Sequence, residues 1–388
     1  MVREQTTSRE ELLERAEALA PVLAGRAAET EGLRRLPQET LDDLAGLLRT
    51  ASPTRFGGHG LDFDTVWEIG WRLGQGCGST AWCFMVAAIH NWHVGLAPEQ
   101  AQEDYFADGP DVWSCSSFNP GRAKLEPAEG GFRLSGRWSF SSGCDHASWA
   151  LLAGIVPDAR GLVLLLVPRS DWRIDDDWFV SGLRGTGSKS IVIDEPVFVP
   201  DYRFVALRDT ETGPAQERHQ RASYGVPVAS LMPWALACPL VGIAQGAVDA
   251  FDERMRTRVT TVTRQPVTDL VPVQVRLAEA TAVVDAARAL ARSDLREMID
   301  RAARGEQPTL LDRARYRRDH AFVARLCVQA VELLFAASGG SAIYEHEAMQ
   351  RLHRDVHAGS HHVILGWDEP AEQYGRVRFG LEPTAIFI

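Results

Sequence analysis

Apolar residues recur with a helical period over the first third of the chain. The segment 8–11, Ser-Arg-Glu-Glu, has the form of a capping box, and apolar residues follow it at helical spacing. Pro37 stands where a second helix would begin. A loop rich in proline and glycine over 53–60 precedes more helical sequence from 62 to about 107. The pattern predicts an N-terminal helical domain over residues 1–110.

The period shortens near residue 111. The segments RLSGRWSFSSG, HASWALLAGIV, GLVLLLVP and KSIVIDEPVFVP are short and apolar, and glycine, proline and aspartate separate them. Such segments predict an antiparallel β domain, here residues 111–210. Helical periodicity returns afterwards, over 226–259, 271–303, 312–337 and 345–366. We therefore expect a C-terminal bundle of about four long helices within residues 211–388.

Composition excludes several classes of protein. The 388 residues include 41 Lys and Arg against 52 Asp and Glu, and the net charge of -11 argues against a nucleic-acid partner. Six cysteines without a C-x-x-C pair are typical of a reduced, cytoplasmic protein. The charged N-terminus predicts no signal peptide. Three prolines interrupt the longest apolar stretch, 226–251, which indicates a buried helix and not a membrane span.

The candidate chemistry is concentrated in a late cluster of histidines. His353, His357, His361 and His362 are four of the eleven histidines of the chain. Imidazole is the side chain best suited to proton transfer near neutral pH, so this cluster is the first catalytic candidate. The first three have i, i+4, i+8 spacing, which could bind a metal ion on one helix face. A Gly-Ser pair weakens the helix at the third position and no H-E-x-x-H motif is present, so we expect no metal site.

Three longer motifs resemble the acyl-CoA dehydrogenase superfamily. They are PTRFGGHGLD at 53–62, GLRGTGSKSIVIDEPVFVP at 182–200 and SGGSAIYEHEAMQRLHRDV at 338–356. Together with the order of the segments, they imply an acyl-CoA dehydrogenase-like fold. That fold has an N-terminal α-helical domain, a middle antiparallel β domain and a C-terminal four-helix bundle.

Two further segments resemble one branch of that superfamily. GRWSFSSGCDHASWALLAG at 136–154 and RDVHAGSHHVIL at 354–365 are similar to the oxygenase components of two-component monooxygenases. Hydroxylases of p-hydroxyphenylacetate and of steroid-derived phenols belong to this branch. The resemblance implies that reduced FMN, or FADH2, comes from a separate NAD(P)H flavin reductase. With O2 it would form a C4a-hydroperoxyflavin that hydroxylates a small aromatic, phenolic or polyketide-like substrate, in a cytoplasmic homotetramer.

Other activities stay open on the sequence. Many acyl-CoA dehydrogenases carry a catalytic glutamate after the Arg-Asp pair, where this chain has His361-His362-Val363. The departure favours a hydroxylase, although Glu345 or Glu347 could serve a dehydrogenase as a relocated base. An N- or S-oxygenase of the same fold, such as an amino-sugar N-oxygenase, is a further alternative. A last alternative is a scaffold protein that keeps the fold but has no catalytic activity.

The resemblance assigns roles to individual residues. His362 is expected to be the catalytic imidazole, and His361 is its rival because a shift of one position would exchange them. Ser142 and Ser141 are expected beside the reactive edge of the flavin, where a hydrogen-bond donor would hold the peroxide. Apart from the resemblance, His93 follows an apolar helical segment and is a catalytic candidate that could face the substrate, with a satisfied core histidine as the structural alternative.

Four more residues are candidates for binding the cofactor. Trp138 could stack on the flavin, and Ser116 and Ser117 stand where a flavin-contacting loop would begin. Arg258, with Arg264 as its rival, resembles the arginine that reaches the flavin phosphate of a neighbouring subunit. Each candidate also has a plain structural alternative: a strand tryptophan in the core, serines in a turn, or an arginine on the surface of a helix.

Overall fold

Helices occupy the N-terminal third of the chain, as the sequence predicts. The computed structural model describes residues 7–156, 161–206 and 214–385. The first helices are α1 (Arg9–Leu33), α2 (Gln38–Leu44), α3 (Phe63–Gly76), α4 (Gly78–Val94) and α5 (Glu99–Tyr105). The capping box is confirmed, because the Ser8 hydroxyl accepts from the Glu11 amide at 3.1 Å and the Glu11 carboxylate accepts from the Ser8 amide at 2.8 Å.

Strands make up the middle of the chain. They are β1 (Ser114–Ser117), β2 (Lys124–Ala128), β3 (Gly131–Trp138), β4 (Trp149–Val156), β5 (Gly161–Pro168), β6 (Arg173–Asp175), β7 (Ser190–Pro200) and β8 (Phe204–Ala206). They form two four-stranded sheets, with the orders β1-β4-β5-β8 and β2-β3-β7-β6. The prediction of antiparallel pairing is confirmed for every described pair except β1 with β4, which is parallel.

Six α-helices follow within the described residues 214–385. They are α6 (Pro214–His219), α7 (Val228–Thr257), α8 (Val271–Ala303), α9 (Leu310–Ala337), α10 (Ala348–Ser360) and α11 (Asp368–Arg378). The last predicted segment, 345–366, is shorter than expected because α10 ends at Ser360 and a separate 3-10 turn follows over 363–365. His362 stands between them with extended backbone angles, φ -61° and ψ 133°. The domain boundaries at 110 and 210 stay a prediction.

Two helices, α7 and α9, are long and apolar enough to cross a membrane by length and composition alone. Most of the apolar window of α7, 83%, is buried inside the protein, against 44% for α9. Core helices of soluble proteins pass the same test, so α7 is accounted for by the packing around it.

The helix that carries part of the site is held in the core. Every residue of α4 is buried. Its neighbour α3 approaches α7 at a pair of glycines, since a Cβ at Gly242 would lie 2.4 Å from the Trp71 carbonyl oxygen and 2.5 Å from the Gly74 Cα. Only glycine permits that approach, and it lets α3, α4 and α7 pack as one unit. Side chains of α4 therefore have fixed positions.

Candidate functional site

Trp82, on α4, joins two segments that lie far apart in the sequence. Its indole N–H donates to the Ser142 hydroxyl at 3.1 Å. Its ring lies 5.9 Å from the His362 ring, centroid to centroid, with an angle of 54° between the planes. Two residues to which the sequence assigns catalysis therefore contact the same buried tryptophan. Sequence reasoning did not identify Trp82, because nothing distinguishes it from the other apolar residues of α4.

A tight turn after β3 presents Ser142. Phe140 and Gly143 have left-handed backbone angles, φ 63° and 74°, which reverse the chain around the two serines. The Ser141 amide donates to the Lys189 carbonyl at 3.1 Å, and the Gly143 amide donates to the Thr186 carbonyl at 2.8 Å. The turn is thus bound to the loop before β7. Ser141 itself is fully buried, and its hydroxyl donates to the carbonyl at position 138.

Hydroxyl groups continue the contact from Ser142 into that loop. The Ser142 and Ser188 hydroxyl oxygens are 2.7 Å apart, and so are those of Ser188 and Thr186. The Thr186 hydroxyl donates to the Leu183 carbonyl at 2.8 Å. All three hydroxyl residues are buried. Sequence reasoning missed Ser188 and Thr186, although they lie in the GLRGTGSK motif.

The Arg-Asp pair of α10 holds the start of the same loop. The Asp355 carboxylate accepts from the Leu183 amide at 2.6 Å, and the Arg354 guanidinium donates to the Ser181 carbonyl at 2.5 Å. A Cβ at Gly182 would lie 2.2 Å from the Arg354 carbonyl oxygen, so this position requires glycine. Burial raises the pKa of Asp355 to about 6, even though the bond from the Leu183 amide opposes that shift. Two motifs of the sequence therefore meet directly beside Ser142.

His362 is a neutral, partly buried imidazole. Its Nδ1 accepts from the Ile364 amide at 3.3 Å, which leaves the ring proton on Nε2. Burial lowers the pKa of His362 to about 4. The side chain can therefore donate a hydrogen bond from Nε2 at neutral pH. His361 is exposed and its Nδ1 contacts the His357 carbonyl at 2.7 Å, so the two histidines have different surroundings.

His93 is buried apart from the contacts around Trp82, and its catalytic role stays a prediction. It is 2% exposed, and both ring nitrogens lack a partner among the residues that the structure describes. It lines a cavity of about 10 Å³ with Val94, Leu151 and two further leucines of β5. No described contact joins His93 to Trp82, because its ring faces the β1-β4-β5-β8 sheet. Burial lowers the pKa of His93 to about 4.

Three of the expected flavin-binding residues are strand residues. Trp138 is 1% exposed in the core of the β domain and donates from Nε1 to the Ala153 carbonyl at 2.9 Å. This burial fits the structural alternative, a strand tryptophan in the core, and stacking on a flavin stays a prediction. Ser116 and Ser117 lie on β1 opposite residues 151 and 152, and not in a turn; Ser117 is buried and Ser116 partly buried.

Arg258 follows the last turn of α7. Its guanidinium donates to the Ser338 carbonyl at 2.6 Å and lies against Gly339, at the start of the SGGS motif. Arg264 stands in the following turn with φ 57°. The structure therefore joins Arg258 to a motif that carries the resemblance, whereas Arg264 shows no such contact among the described residues.

Two exposed apolar side chains stand close in the sequence to Ser142 and His362. Phe140 and Val363, each within two positions of a site residue, are 73% and 87% exposed. An isoalloxazine ring needs apolar surface for its faces and a few fixed polar groups for its edge. Ser142 and His362 supply such groups from buried or partly buried positions. The residues present therefore fit a flavin.

Comparison with known proteins gives consistent relatives. Residues 234–367 match the family model described as acyl-CoA dehydrogenase, C-terminal domain. The chain is 36% identical over 384 residues to the oxygenase subunit HsaA of a flavin-dependent monooxygenase from Rhodococcus jostii, covering 97% of this chain and 100% of the relative. It is 30% identical to the oxygenase component of p-hydroxyphenylacetate 3-hydroxylase from Acinetobacter baumannii, covering 97% and 91%.

Solved structures agree with these relatives. The 3-HSA hydroxylase from a Rhodococcus species superposes with a TM-score of 0.91 at 35% identity, covering 97% of this chain and 99% of that one. XiaF from a Streptomyces species, in complex with FADH2 and glycerol, gives a TM-score of 0.91 at 26% identity, covering 98% of each chain.

Proposed function

Because this chain belongs to the oxygenase components of two-component flavin-dependent monooxygenases, with the acyl-CoA dehydrogenase fold, we propose that it hydroxylates a small phenol. The enzymes of this family use reduced flavin and O2, and a separate reductase supplies the flavin. Two relatives are named for phenols, p-hydroxyphenylacetate and resorcinol, at 30% and 34% identity. The phenol as substrate class of this chain is our proposal.

The single observation that carries the proposal is the position of Trp82 between Ser142 and His362. When bound, reduced flavin would activate oxygen at its reactive edge. In the proposed arrangement Ser142 meets that edge, and His362 faces the phenol. A neutral imidazole with its proton on Nε2 can donate to the phenol oxygen and orient the ring.

Subunit assembly enters the proposal through Arg258. The hairpin after α7 and the start of α8 expose several apolar side chains, of which Val262 is 91% exposed and Val271 66%. Apolar side chains grouped at one end of the bundle are typical of a surface that another subunit covers. We propose a homotetramer in which Arg258 binds the flavin phosphate of a neighbouring subunit, as a guanidinium suits a phosphate. A cytoplasmic location accompanies it, since all six cysteines are free and buried.

The test uses labelled oxygen. The protein is mixed with anaerobically reduced FMN or FADH2, then with 18O2 and, in separate reactions, p-hydroxyphenylacetate, resorcinol, an amine, a sulfide or an acyl-CoA, and the products are analysed by mass spectrometry. We expect one labelled oxygen atom in a new hydroxyl group on the ring of a phenol. Label found only in amine or sulfide substrates would replace the proposal by N- or S-oxygenation. Dehydrogenation of an acyl-CoA without any label would replace it by the relocated-base alternative.

Two variants assign the imidazole. His362→Ala is expected to bind reduced flavin as the wild type does and to lose at least 90% of the labelled product, roughly the effect of one general acid or base. His361→Ala changes the exposed neighbour and is expected to keep the product yield. The reverse result would move the role to His361.

A further inference from the structure

Three buried hydroxyls form a continuous chain with fixed ends. At one end the Trp82 indole N–H, which can only donate, contacts Ser142. At the other end Thr186 contacts the Leu183 carbonyl oxygen, which can only accept. The Leu183 oxygen also accepts from the Thr186 amide at 3.1 Å and from the Trp178 indole at 3.3 Å. Ser188 completes the chain between Ser142 and Thr186, with both oxygen-to-oxygen distances at 2.7 Å.

The two ends determine the direction of every hydrogen bond in the chain. Each hydroxyl has one proton to donate. Thr186 gives its proton to the Leu183 carbonyl, so at the next contact it must accept from Ser188. Ser188 in turn must accept from Ser142. The Ser142 proton is therefore already used, and Ser142 can offer only a lone pair to a further partner.

That polarity distinguishes the two redox states of a flavin. The N5 atom of a reduced flavin carries a hydrogen and donates, whereas N5 of an oxidised flavin has a lone pair and accepts. A Ser142 lone pair forms a hydrogen bond with the first and repels the second. The sequence led us to expect a donor at this position, and the hydroxyl chain reverses that expectation for Ser142.

We propose that Ser188 and Thr186 are positioning residues that hold Ser142 as an acceptor and thereby make the site select reduced flavin. The inference rests on the proposed function, because it requires Ser142 to meet the flavin edge. This inference gives a function to the second half of the GLRGTGSK motif, whose residues Thr186 and Ser188 would act through Ser142 and not by contact with the cofactor. Selection of reduced flavin suits an enzyme that must release the oxidised flavin for reduction by its reductase.

The test compares dissociation constants for oxidised and anaerobically reduced FMN and FADH2, measured by titration. The wild type is expected to bind the reduced form more tightly. Ser188→Ala frees the Ser142 proton, which can then rotate towards oxidised N5. We expect the ratio of the oxidised to the reduced dissociation constant to fall about tenfold, the size of one neutral hydrogen bond gained by the oxidised flavin, while the reduced flavin keeps its bond to the Ser142 lone pair.

Further variants separate positioning from general damage. Thr186→Val removes the far end of the chain and is expected to lower the ratio as Ser188→Ala does, while Thr186→Ser keeps the hydroxyl and the wild-type ratio. Ser190→Ala is the matched control, since that buried hydroxyl donates to the Asp177 carboxylate at 2.6 Å and contacts the Ser139 hydroxyl at 3.2 Å, both outside the chain. Equal weakening of both redox states in the two chain-breaking variants would overturn the inference. Failure of the wild type to bind either flavin would instead overturn the proposed function.

A second, independent cluster lies between α9 and α10. One oxygen of the Glu332 carboxylate is 2.7 Å from His357 Nε2 and 3.2 Å from His353 Nε2. All three atoms lie within 4.8 Å of one another. The His353 ring stacks on Phe335 at 4.2 Å, which fixes its orientation. From the sequence we expected no metal site, because His361 was the candidate for the third ligand. His361 indeed points elsewhere, and a glutamate of α9 lies in its place.

We infer that Glu332, His353 and His357 bind a divalent late first-row metal ion such as Zn²⁺. Zinc takes nitrogen and oxygen ligands at about 2.0–2.1 Å, so ligand atoms that lie within 4.8 Å of one another can share one ion after a small movement. Two histidines and one carboxylate are an established zinc ligand set, which leaves further positions to water.

Calorimetric titration of the full-length protein with zinc chloride tests this site. One equivalent is expected to bind, and Glu332→Gln and His357→Gln are each expected to weaken binding at least tenfold, in line with the usual effect of altered metal surroundings. His346→Gln, a change at an exposed histidine outside the cluster, is expected to leave the titration unchanged. Wild-type affinity in both cluster variants, or no binding by the wild type, would overturn the site.

Discussion

Replacement of Trp82 by Phe removes the indole N–H and keeps an aromatic ring on α4. The variant loses one buried hydrogen bond of 3.1 Å, to Ser142, which contributes about 1 kcal/mol. It also loses the buried atoms of the second ring, and the resulting cavity costs about 1–2 kcal/mol more. We therefore expect a destabilisation of about 2–3 kcal/mol, which lowers the melting temperature by several degrees. The contact with His362 loosens at the same time.

The expected functional consequence of Trp82→Phe is uncoupling of flavin oxidation from hydroxylation of the substrate. Because the variant lacks the indole N–H of Trp82 and holds His362 less firmly, the site is expected to release more hydrogen peroxide per reduced flavin consumed. Thermal unfolding followed by circular dichroism and a peroxide assay measure the two effects. Trp67→Phe is the matched control, because Trp67 is buried and its N–H has no partner among the described residues. Trp67→Phe should lower stability without raising peroxide. Unchanged peroxide in Trp82→Phe would refute the organising role of Trp82.

Three further predictions follow from burial and packing. The folded-state pKa of Asp355, raised by burial from 3.8 to about 6, makes stability fall as pH rises from about 4 to 6, by roughly 3 kcal/mol at most; Asp355→Asn should flatten that fall in denaturation experiments at several pH values. Gly359→Ala puts a Cβ 2.7 Å from Leu240 and 3.3 Å from Trp82, so a loss of about 1–2 kcal/mol is expected in thermal unfolding, and a more stable variant would contradict it. Burial lowers the pKa of His362 from 6.5 to about 4, so its contribution to stability is present above pH 6.5 and is lost as pH falls towards 4. The pH profile of hydroxylation is therefore expected to show no step near pH 6.5 that comes from His362. A step there in the wild type that disappears in His362→Gln would contradict this.

The fold could be predicted because its signals are local. The capping box at Ser8 needs only four consecutive residues, and the change from a helical to a strand period needs only a short window. The predicted segment 271–303 coincides with α8. The parallel pairing of β1 with β4 could not be read in this way, because it depends on where a distant strand is placed.

The site could be predicted only in part, because its contacts join distant positions. His362 and Ser142 were identifiable from motifs, whereas Trp82 stands in a helix that is buried on every side and has no polar face to mark it. His93 and Trp138 carry polar groups that suggest function, and the structure buries both in the core. Sequence patterns cannot tell a buried polar tip that is part of the packing from one that faces a ligand.

The most direct measurement is stopped-flow absorbance. The protein with anaerobically reduced FMN or FADH2 is mixed with oxygenated buffer, and the absorbance of the flavin is followed against the same mixture without protein. If the site between Trp82, Ser142 and His362 activates oxygen on a protected flavin, a near-ultraviolet transient will outlast the oxidation of free flavin. Oxidation at the rate of free flavin, with both flavins, would contradict the assignment as an oxygenase component.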